Sequence, residues 1–214
     1  MIPVTGLYNP CMLFLKAFVI GLSIAAPVGP IGVLCIRRTL VFGRRVGFVS
    51  GLGAATADAL YGAVAAFGLT VLFRFFVQNA RPLHLAGGAL LLAIGIRTML
   101  ARRDLAASAG TDARGPALLP AYASTLFLTI TNPMTIISFA AVFAVIAPAG
   151  GLNFGSAALT VAGVFLGSAA WWLILSAGVG ALRQAAGARV LAWVSRLSGA
   201  VIAGFGAAQL VERV

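Results

Sequence analysis

The sequence predicts an all-α integral membrane protein with six transmembrane helices, arranged as two inverted three-helix repeats. Three observations lead to this fold class. Hydrophobic residues make up 61% of the 214 residues and charged residues only 9%, whereas an ordinary soluble domain carries roughly 25% charged residues. Six apolar runs are each long enough to cross a bilayer, which takes about 20 residues. Prolines interrupt the first and fourth runs, which predicts that helices one and four are broken.

The predicted spans follow one another with short links. They cover residues 13–36, 46–73, 83–100, 118–146, 156–182 and 190–210. The one long polar stretch, residues 101–116, contains two aspartates and two glycines, and we interpret it as a cytoplasmic loop. Because the spans use nearly the whole chain, residues 1–214 are expected to form a single membrane domain. Repeat one would cover residues 11–100, and repeat two residues 117–211.

The arginines predict how the chain is oriented in the membrane. The links after spans one, three and five hold nine arginines: Arg37, Arg38, Arg44, Arg45, Arg102, Arg103, Arg114, Arg183 and Arg189. The opposite side holds mainly Arg74, Arg81 and Arg213. Cytoplasmic loops of membrane proteins carry the excess of positive charge, so the richer side is expected to be cytoplasmic. The same pattern accounts for the net charge of +11 without a nucleic-acid partner.

The second half of the chain repeats features of the first. At nearly constant offsets of 103 to 111 residues, the matching pairs are Pro30 with Pro133, Gly53 with Gly163, Asp58 with Ser168, Tyr61 with Trp171, Gly88 with Gly199 and Gly95 with Gly206. A unit with three spans starts on one side of the membrane and ends on the other, so two units in tandem must be inverted. Inverted repeats with broken helices in corresponding positions are typical of secondary transporters.

The first break contains Pro27, Gly29 and Pro30. Each proline removes a backbone donor and clashes with the preceding turn, so about one turn is expected to unwind. Unpaired backbone groups cannot face lipid. They would face protein or a wet cavity, where they could hold the charged ends of a ligand. The alternative is a plain proline kink without a binding role.

The second break contains Asn132 and Pro133, with Thr131 beside them. The Asn132 side chain offers both a donor and an acceptor, which makes it the better candidate for binding. The hydroxyl of Thr131 is a secondary candidate. The alternative for the threonines of this segment is local repair, in which their hydroxyls satisfy the carbonyls that the break leaves free.

Asp58 is the only acidic residue inside any apolar run. A charge near the bilayer centre costs about 2.5–3.5 kcal/mol on insertion scales, so such a residue normally faces the interior of the bundle. It lies on a stripe of small residues formed by Gly47, Gly51, Ala54 and Gly62, which is suited to close packing or to lining a cavity. Asp58 could bind a substrate amine or exchange a proton, or it could make a structural hydrogen bond.

Aromatic and hydroxyl side chains near Asp58 are secondary candidates for the same site. Tyr61 lies one turn further along span two, and the matching face of span five carries Ser168, Trp171 and Trp172. Aromatic rings at mid-depth could gate a site or stack on a substrate. Packing in the core or against lipid is the alternative for the aromatic residues.

No metal, cofactor or catalytic site is predicted. His84 is the sole histidine, with neither a second histidine nor a cysteine near it, and we expect it at the membrane interface. Cys11 and Cys35 would lie about 36 Å apart on one helix, too far for a disulfide. No paired acids and no nucleophile with an adjacent base suggest an enzyme.

A series of motifs begins at the first break. It reads Pro27-Val28-Gly29-Pro30, then Gly43-Arg44-Arg45-Val46-Gly47, Gly51-x-Gly53, Asp58 and Gly68, and later Asn132-Pro133. This series resembles the LysE/RhtB family of amino-acid exporters over most of the chain. The resemblance implies one transporter domain that exports amino acids or related small polar metabolites across the bacterial inner membrane by proton antiport. It also implies that Asp58 and the residues of the two breaks bind substrate or protons.

Other functions are compatible with parts of the pattern. A six-span thiol–disulfide electron carrier would need one membrane cysteine in each half, whereas both cysteines lie in or near span one. An exporter of inorganic cations would need several acids or soft ligands within the spans, where Asp58 stands alone. The expected partners are a small-molecule substrate, protons and the lipid bilayer. A homo-oligomer is also compatible with the sequence.

Overall fold

The computed structural model describes residues 9–100, 117–146, 152–185 and 187–211, and its regular elements there are α-helices. The predicted loop at 101–116 lies outside these residues. In chain order the helices are α1 (Pro10–Ala25), α2 (Pro30–Phe42), α3 (Arg44–Ala66), α4 (Thr70–Gln78), α5 (Ala80–Leu100), α6 (Leu118–Ile130), α7 (Pro133–Ile146), α8 (Phe154–Ala185) and α9 (Ala188–Val211).

Four of the described helices, α3, α5, α8 and α9, are long and apolar enough to cross a membrane. Helices α1 and α2 form a fifth candidate span that is bent by 82° at its break. Helices α6 and α7 contain 13 and 14 residues, and each alone is shorter than the roughly 20 residues that a span needs. The described part of the chain is therefore a helical membrane protein with four spans, or five with the bent pair.

Proline sets the first residue of α2 and of α7. Pro30 and Pro133 are the first residues of these helices, a position where the missing N–H would have had no helical partner. The residue before a proline avoids helical geometry, and Gly29 is accordingly extended, with φ −92° and ψ −165°. Helices α1 and α6 therefore stop a few residues upstream, at Ala25 and Ile130.

Two glycines with positive φ terminate other helices. Gly43, with φ 93°, forms the turn between α2 and α3, and Gly68, with φ 64°, follows the end of α3. L-residues with a side chain rarely adopt this conformation. The predicted second span at 46–73 was therefore too long, because α3 ends at Ala66 and the chain turns at Gly68 before α4 begins.

Helix α3 lies at the centre of the bundle. It packs against α2, α6 and α8, while α1 runs along α8 and α5 runs along α9. Small residues allow these close contacts: the Cα of Gly51 faces Trp172 of α8, and that of Gly53 faces the Tyr122 carbonyl of α6. The apolar core contains Leu34 and Cys35 of α2 together with Ala54 and Ala55 of α3. This packing buries the face of α3 that carries Asp58.

One expectation about polar residues was wrong. Arg37 and Arg38 were placed in a link after span one, but α2 continues to Phe42 and buries both side chains. Both guanidinium groups donate hydrogen bonds to hydroxyl groups inside the protein, Arg37 to Ser195 and Arg38 to Ser50. His84, which was expected at the membrane interface, is 4% exposed and lies about one turn from the start of α5.

Candidate functional site

One cavity brings together both helix breaks and the buried acid. It measures about 60 Å³, and its wall includes Pro27, Gly29 and Pro30 from the first break, Asp58 from α3 and Asn132 from the second break. These are five of the six residues singled out as primary candidates. The sixth, Pro133, begins α7, and its side chain lies outside the described part of the structure. Trp172 of α8 closes another part of the wall.

Asp58 is held at the contact between α3 and α8. Its side chain is 3% exposed, and its Oδ2 accepts a hydrogen bond of 2.7 Å from the Ser168 hydroxyl. In the described part of the chain, Ser168 is its one hydrogen-bonding partner. A buried carboxylate without a basic partner is costly, so the group is suited to receiving a proton or a cation from the cavity.

The N-terminus of α2 lies on the wall of the same cavity. Gly29 occupies the cap position and offers no side chain to the first turn. Ile31 and Gly32, whose N–H groups belong to that turn, also line the cavity. The N-terminus of a helix carries a partial positive charge and unpaired N–H donors, which favour an anion. The cavity is therefore lined by both a carboxyl group and the N-terminus of a helix.

Residues around the second break satisfy most of its freed backbone groups. The Asn132 Oδ1 accepts a hydrogen bond of 3.2 Å from the Met134 N–H, which caps α7. The Thr131 hydroxyl donates to the Leu128 carbonyl at 3.3 Å, and the Tyr61 hydroxyl donates to the Ile130 carbonyl at 2.6 Å. Thr131 and Tyr61 therefore act as local repair of the break. Asn132 both caps α7 and lines the cavity.

The aromatic residues near the site differ in what they contact. Trp171 packs against the apolar core, and its neighbour Trp172 lines the cavity. The Tyr61 ring stacks on Phe139 with centroids 5.5 Å apart and tilts against Phe76 at 5.2 Å. No sequence signal separated Trp171 from Trp172, since which of two adjacent residues faces inward depends on the rotation of α8 about its axis.

Comparison with known proteins identifies the family to which this arrangement of helices belongs. The family model for the LysE type translocator matches residues 22–213. The chain belongs to the LysE type translocator family. As a member of this family it is a transporter that exports its substrate, and not an enzyme.

Two curated relatives of this LysE translocator extend over most of its length. The chain is 28% identical over 200 residues to "Putative amino acid efflux protein YcgF" of Bacillus subtilis (strain 168), covering 91% of this chain and 93% of the relative. It is 30% identical over 184 residues to "Uncharacterized membrane protein YahN" of Escherichia coli (strain K12), covering 84% and 80%. No solved structure matches this LysE translocator.

Proposed function

We propose that the protein exports amino acids or related small polar metabolites across the bacterial inner membrane by proton antiport. The observation that carries this proposal is the pairing of Asp58 with the N-terminus of α2 on one cavity. An ammonium group is the natural partner of the buried carboxylate, and a carboxylate is the natural partner of the helix end. An α-amino acid carries both groups on one carbon atom. The relative that is described as an amino acid efflux protein supports the same class of substrate.

The size of the cavity fits the part that all amino acids share. Its volume is about 60 Å³, and one water needs roughly 10–15 Å³ on this scale, so it has room for about four to six water-sized groups. The amino, carboxyl and α-carbon atoms of an amino acid fill such a space. Larger side chains would require the helix breaks to move apart, which makes the cavity more selective for the head group than for the side chain.

Proton coupling follows from the chemistry of one buried carboxyl. Asp58 can pair with the substrate ammonium or hold a proton, and the two compete because a protonated carboxyl has no negative charge to attract the ammonium. Substrate binding from the cytoplasm would therefore displace the proton, and proton uptake from the outer side would release the substrate. Ser168 donates to Asp58 and helps to hold its charged form between these two events.

Contacts between the helices support an inverted repeat. Gly53 of α3 lies against Tyr122 of α6, and the equivalent Gly163 of α8 lies against Phe14 of α1. On α5 and α9, Gly88 contacts Gly206 and Gly95 contacts Gly199. Since Gly88 is equivalent to Gly199 and Gly95 to Gly206, each of these two contacts is the counterpart of the other in the opposite half. We therefore propose six spans within one domain of residues 1–214, the fourth formed by α6 and α7 together.

The ends of the helices support the proposed orientation. The Arg183 side chain at the end of α8 reaches the Val41 carbonyl at the end of α2, with 3.4 Å between Nη2 and the oxygen. Arg44, at the start of α3, packs against Gly180 of α8. Arginines from two separate links thus lie at one end of the bundle. The positive-inside rule assigns this end to the cytoplasm.

A transport assay in everted membrane vesicles tests the function. Vesicles containing the protein would be acidified inside and offered a panel of labelled amino acids, the corresponding amines without a carboxyl group, and the N-acetyl acids without an ammonium group. We expect uptake of at least one amino acid, abolished by a protonophore, and little uptake of either one-ended analogue. The proposal would be contradicted if uptake did not depend on the pH gradient, or if an amine were taken up faster than the corresponding amino acid.

The two roles of Asn132 can be separated by substitution. Asn132→Ser keeps an oxygen at the cap position of α7 but withdraws the amide from the cavity, whereas Asn132→Ala removes both. We expect both variants to lose most transport, and the alanine variant to unfold more easily by about 1 kcal/mol because it also lacks the cap. Vesicle uptake and thermal unfolding in detergent measure the two effects. Full transport by Asn132→Ser would mean that Asn132 only caps the helix.

A further inference from the structure

Arg38 forms the largest cluster of side-chain hydrogen bonds around one residue in the described part of the chain. Its Nη1 lies 2.9 Å from the Ser50 hydroxyl, the Thr125 hydroxyl and the Ala121 carbonyl, and its Nη2 lies 2.8 Å from the Ser124 hydroxyl. We call these five residues the Arg38 cluster. The arginine itself is only 7% exposed. The cluster joins α2 to α3 and α6, and all three helices or their breaks contribute to the wall of the cavity.

The Arg38 cluster lies between the cavity and the arginine-rich end of the bundle. Arg38 follows Pro30 by eight residues on α2, which is about 12 Å at 1.5 Å per residue. On α6, Thr125 precedes the helix end at Ile130 by between one and two turns. The cluster is therefore displaced from both breaks in the same direction, toward the side where α2 ends and α6 begins.

The acceptors around Arg38 are all neutral. Hydrogen bonds from a guanidinium group are stronger than those between neutral groups, so four of them bind α2 firmly to its neighbours. None of them is an ion pair, so separation would not leave a carboxylate unpaired. The hydroxyls would also keep a partner, because Ser50, Ser124 and Thr125 each donate to a carbonyl of their own helix. The hydrogen bonds of Arg38 can therefore hold α2 against α3 and α6, and they can also break and form again.

We propose that Arg38 closes the cytoplasmic route to the cavity, and that its release from α6 opens that route. This inference rests on the proposed function only in taking the cavity as the substrate site. The closed contact must separate for substrate to enter from the cytoplasm, since α2, α3 and α6 meet there. Arg38 acts on transport through access to the cavity and not through contact with the bound substrate.

A native cysteine can report on this route. Ile31, Cys35 and Arg38 are spaced by four and three residues, which places them on one face of α2. Ile31 lines the cavity, so Cys35 lies between the cavity and Arg38, and it is 0% exposed. The one other cysteine of the chain, Cys11, can be replaced by serine so that Cys35 remains as the sole thiol. A thiol reagent that approaches from the cytoplasm must pass Arg38 to reach it.

The experiment measures alkylation of Cys35 in everted vesicles by a membrane-impermeant maleimide, in a Cys11→Ser background. Arg38→Met retains the apolar stem and removes the hydrogen bonds. We expect it to increase the labelling rate about tenfold, since a tenfold change corresponds to about 1.4 kcal/mol, close to one lost hydrogen bond of a charged group. Arg38→Lys should give an intermediate rate, because an ammonium group keeps the charge but lacks the planar fork.

Arg37→Met is the matched control. Arg37 is the adjacent residue and equally buried, but its side chain turns to α9, where Nε donates to the Ser195 hydroxyl at 3.2 Å. Its loss should leave Cys35 labelling unchanged. If both arginine variants label equally fast, or if Arg38→Met labels no faster than the parent, Arg38 does not close the route.

A second variant tests the cluster without removing the arginine. Ser124→Ala combined with Thr125→Val deletes the two hydroxyl acceptors on α6 and leaves the Ala121 carbonyl and Ser50. We expect faster labelling of Cys35 here as well, and an unchanged rate would overturn the proposal even if Arg38→Met fails to fold. The readout requires no transported substrate. If the vesicles take up no amino acid but the Arg38 variants still label Cys35 faster, the proposed function is rejected and the role of Arg38 is not.

Discussion

Replacing Asp58 with Asn is expected to abolish export while leaving folded protein in the membrane. The amide has nearly the shape of the carboxyl group, and its oxygen can still accept the hydrogen bond from Ser168. The substitution therefore preserves the contact between α3 and α8. What it removes is the negative charge that binds an ammonium group and the site that takes up a proton. Uptake into everted vesicles should fall to the level of membranes without the protein.

Ser168→Ala is the control for this substitution. It deletes the hydrogen bond that Asp58→Asn preserves, but it keeps the ionisable carboxyl of Asp58. We expect reduced export that still depends on the pH gradient, because only the position and basicity of the carboxyl change. Thermal unfolding and protein yield should be similar for the two variants. Export at the parental rate by Asp58→Asn would remove Asp58 from the mechanism.

Replacing Gly163 with Val is expected to destabilise the folded protein strongly. A Cβ at this position of α8 would lie 2.7 Å from the Ala17 Cβ and 2.8 Å from the Phe14 carbonyl of α1, which is closer than real side chains approach. Since the second atom is backbone, the whole of α1 would have to move away. Overpacking of this kind typically costs about 1–3 kcal/mol and occasionally more. The thermal unfolding temperature and the monodisperse fraction in detergent measure the loss.

Gly178 provides the matched control on the same helix. A Cβ there meets nothing within 4 Å, so Gly178→Val should unfold at the parental temperature or slightly above it. Gly53→Val, at the position equivalent to Gly163 in the other half, should be as damaging as Gly163→Val because it would collide with the backbone of α6 at Tyr122. A stable Gly163→Val protein would show that α1 does not pack against α8 as described.

The sequence predicted the long helices well where the apolar pattern is continuous. The spans expected at 83–100 and 190–210 correspond to α5, Ala80–Leu100, and α9, Ala188–Val211, because nothing inside these runs breaks a helix. The buried acid was identifiable for a different reason. A carboxyl group within an apolar run is costly in lipid, so the position of Asp58 inside the bundle followed from solvation alone.

Tertiary contacts decided what the sequence left open. Arg37 and Arg38 were indistinguishable in sequence from the arginines of a membrane-flanking link, and their burial depends on hydroxyls from α3, α6 and α9 that are distant along the chain. The end of α3 depended on the positive φ of Gly68, although glycine also occurs inside membrane helices. The choice of Trp172 over Trp171 depended on the rotation of α8.

The hydrogen bond between Ser168 and Asp58 also bears on how such a protein can arise. These positions correspond in the two proposed halves and their oxygens lie 2.7 Å apart, so the proposed symmetry axis would pass between them. An ancestral dimer of identical three-helix chains would place two copies of one residue there, and two aspartates would repel each other. In a chain built by duplication and fusion, the two copies could diverge, which would allow a single acid to face a hydroxyl.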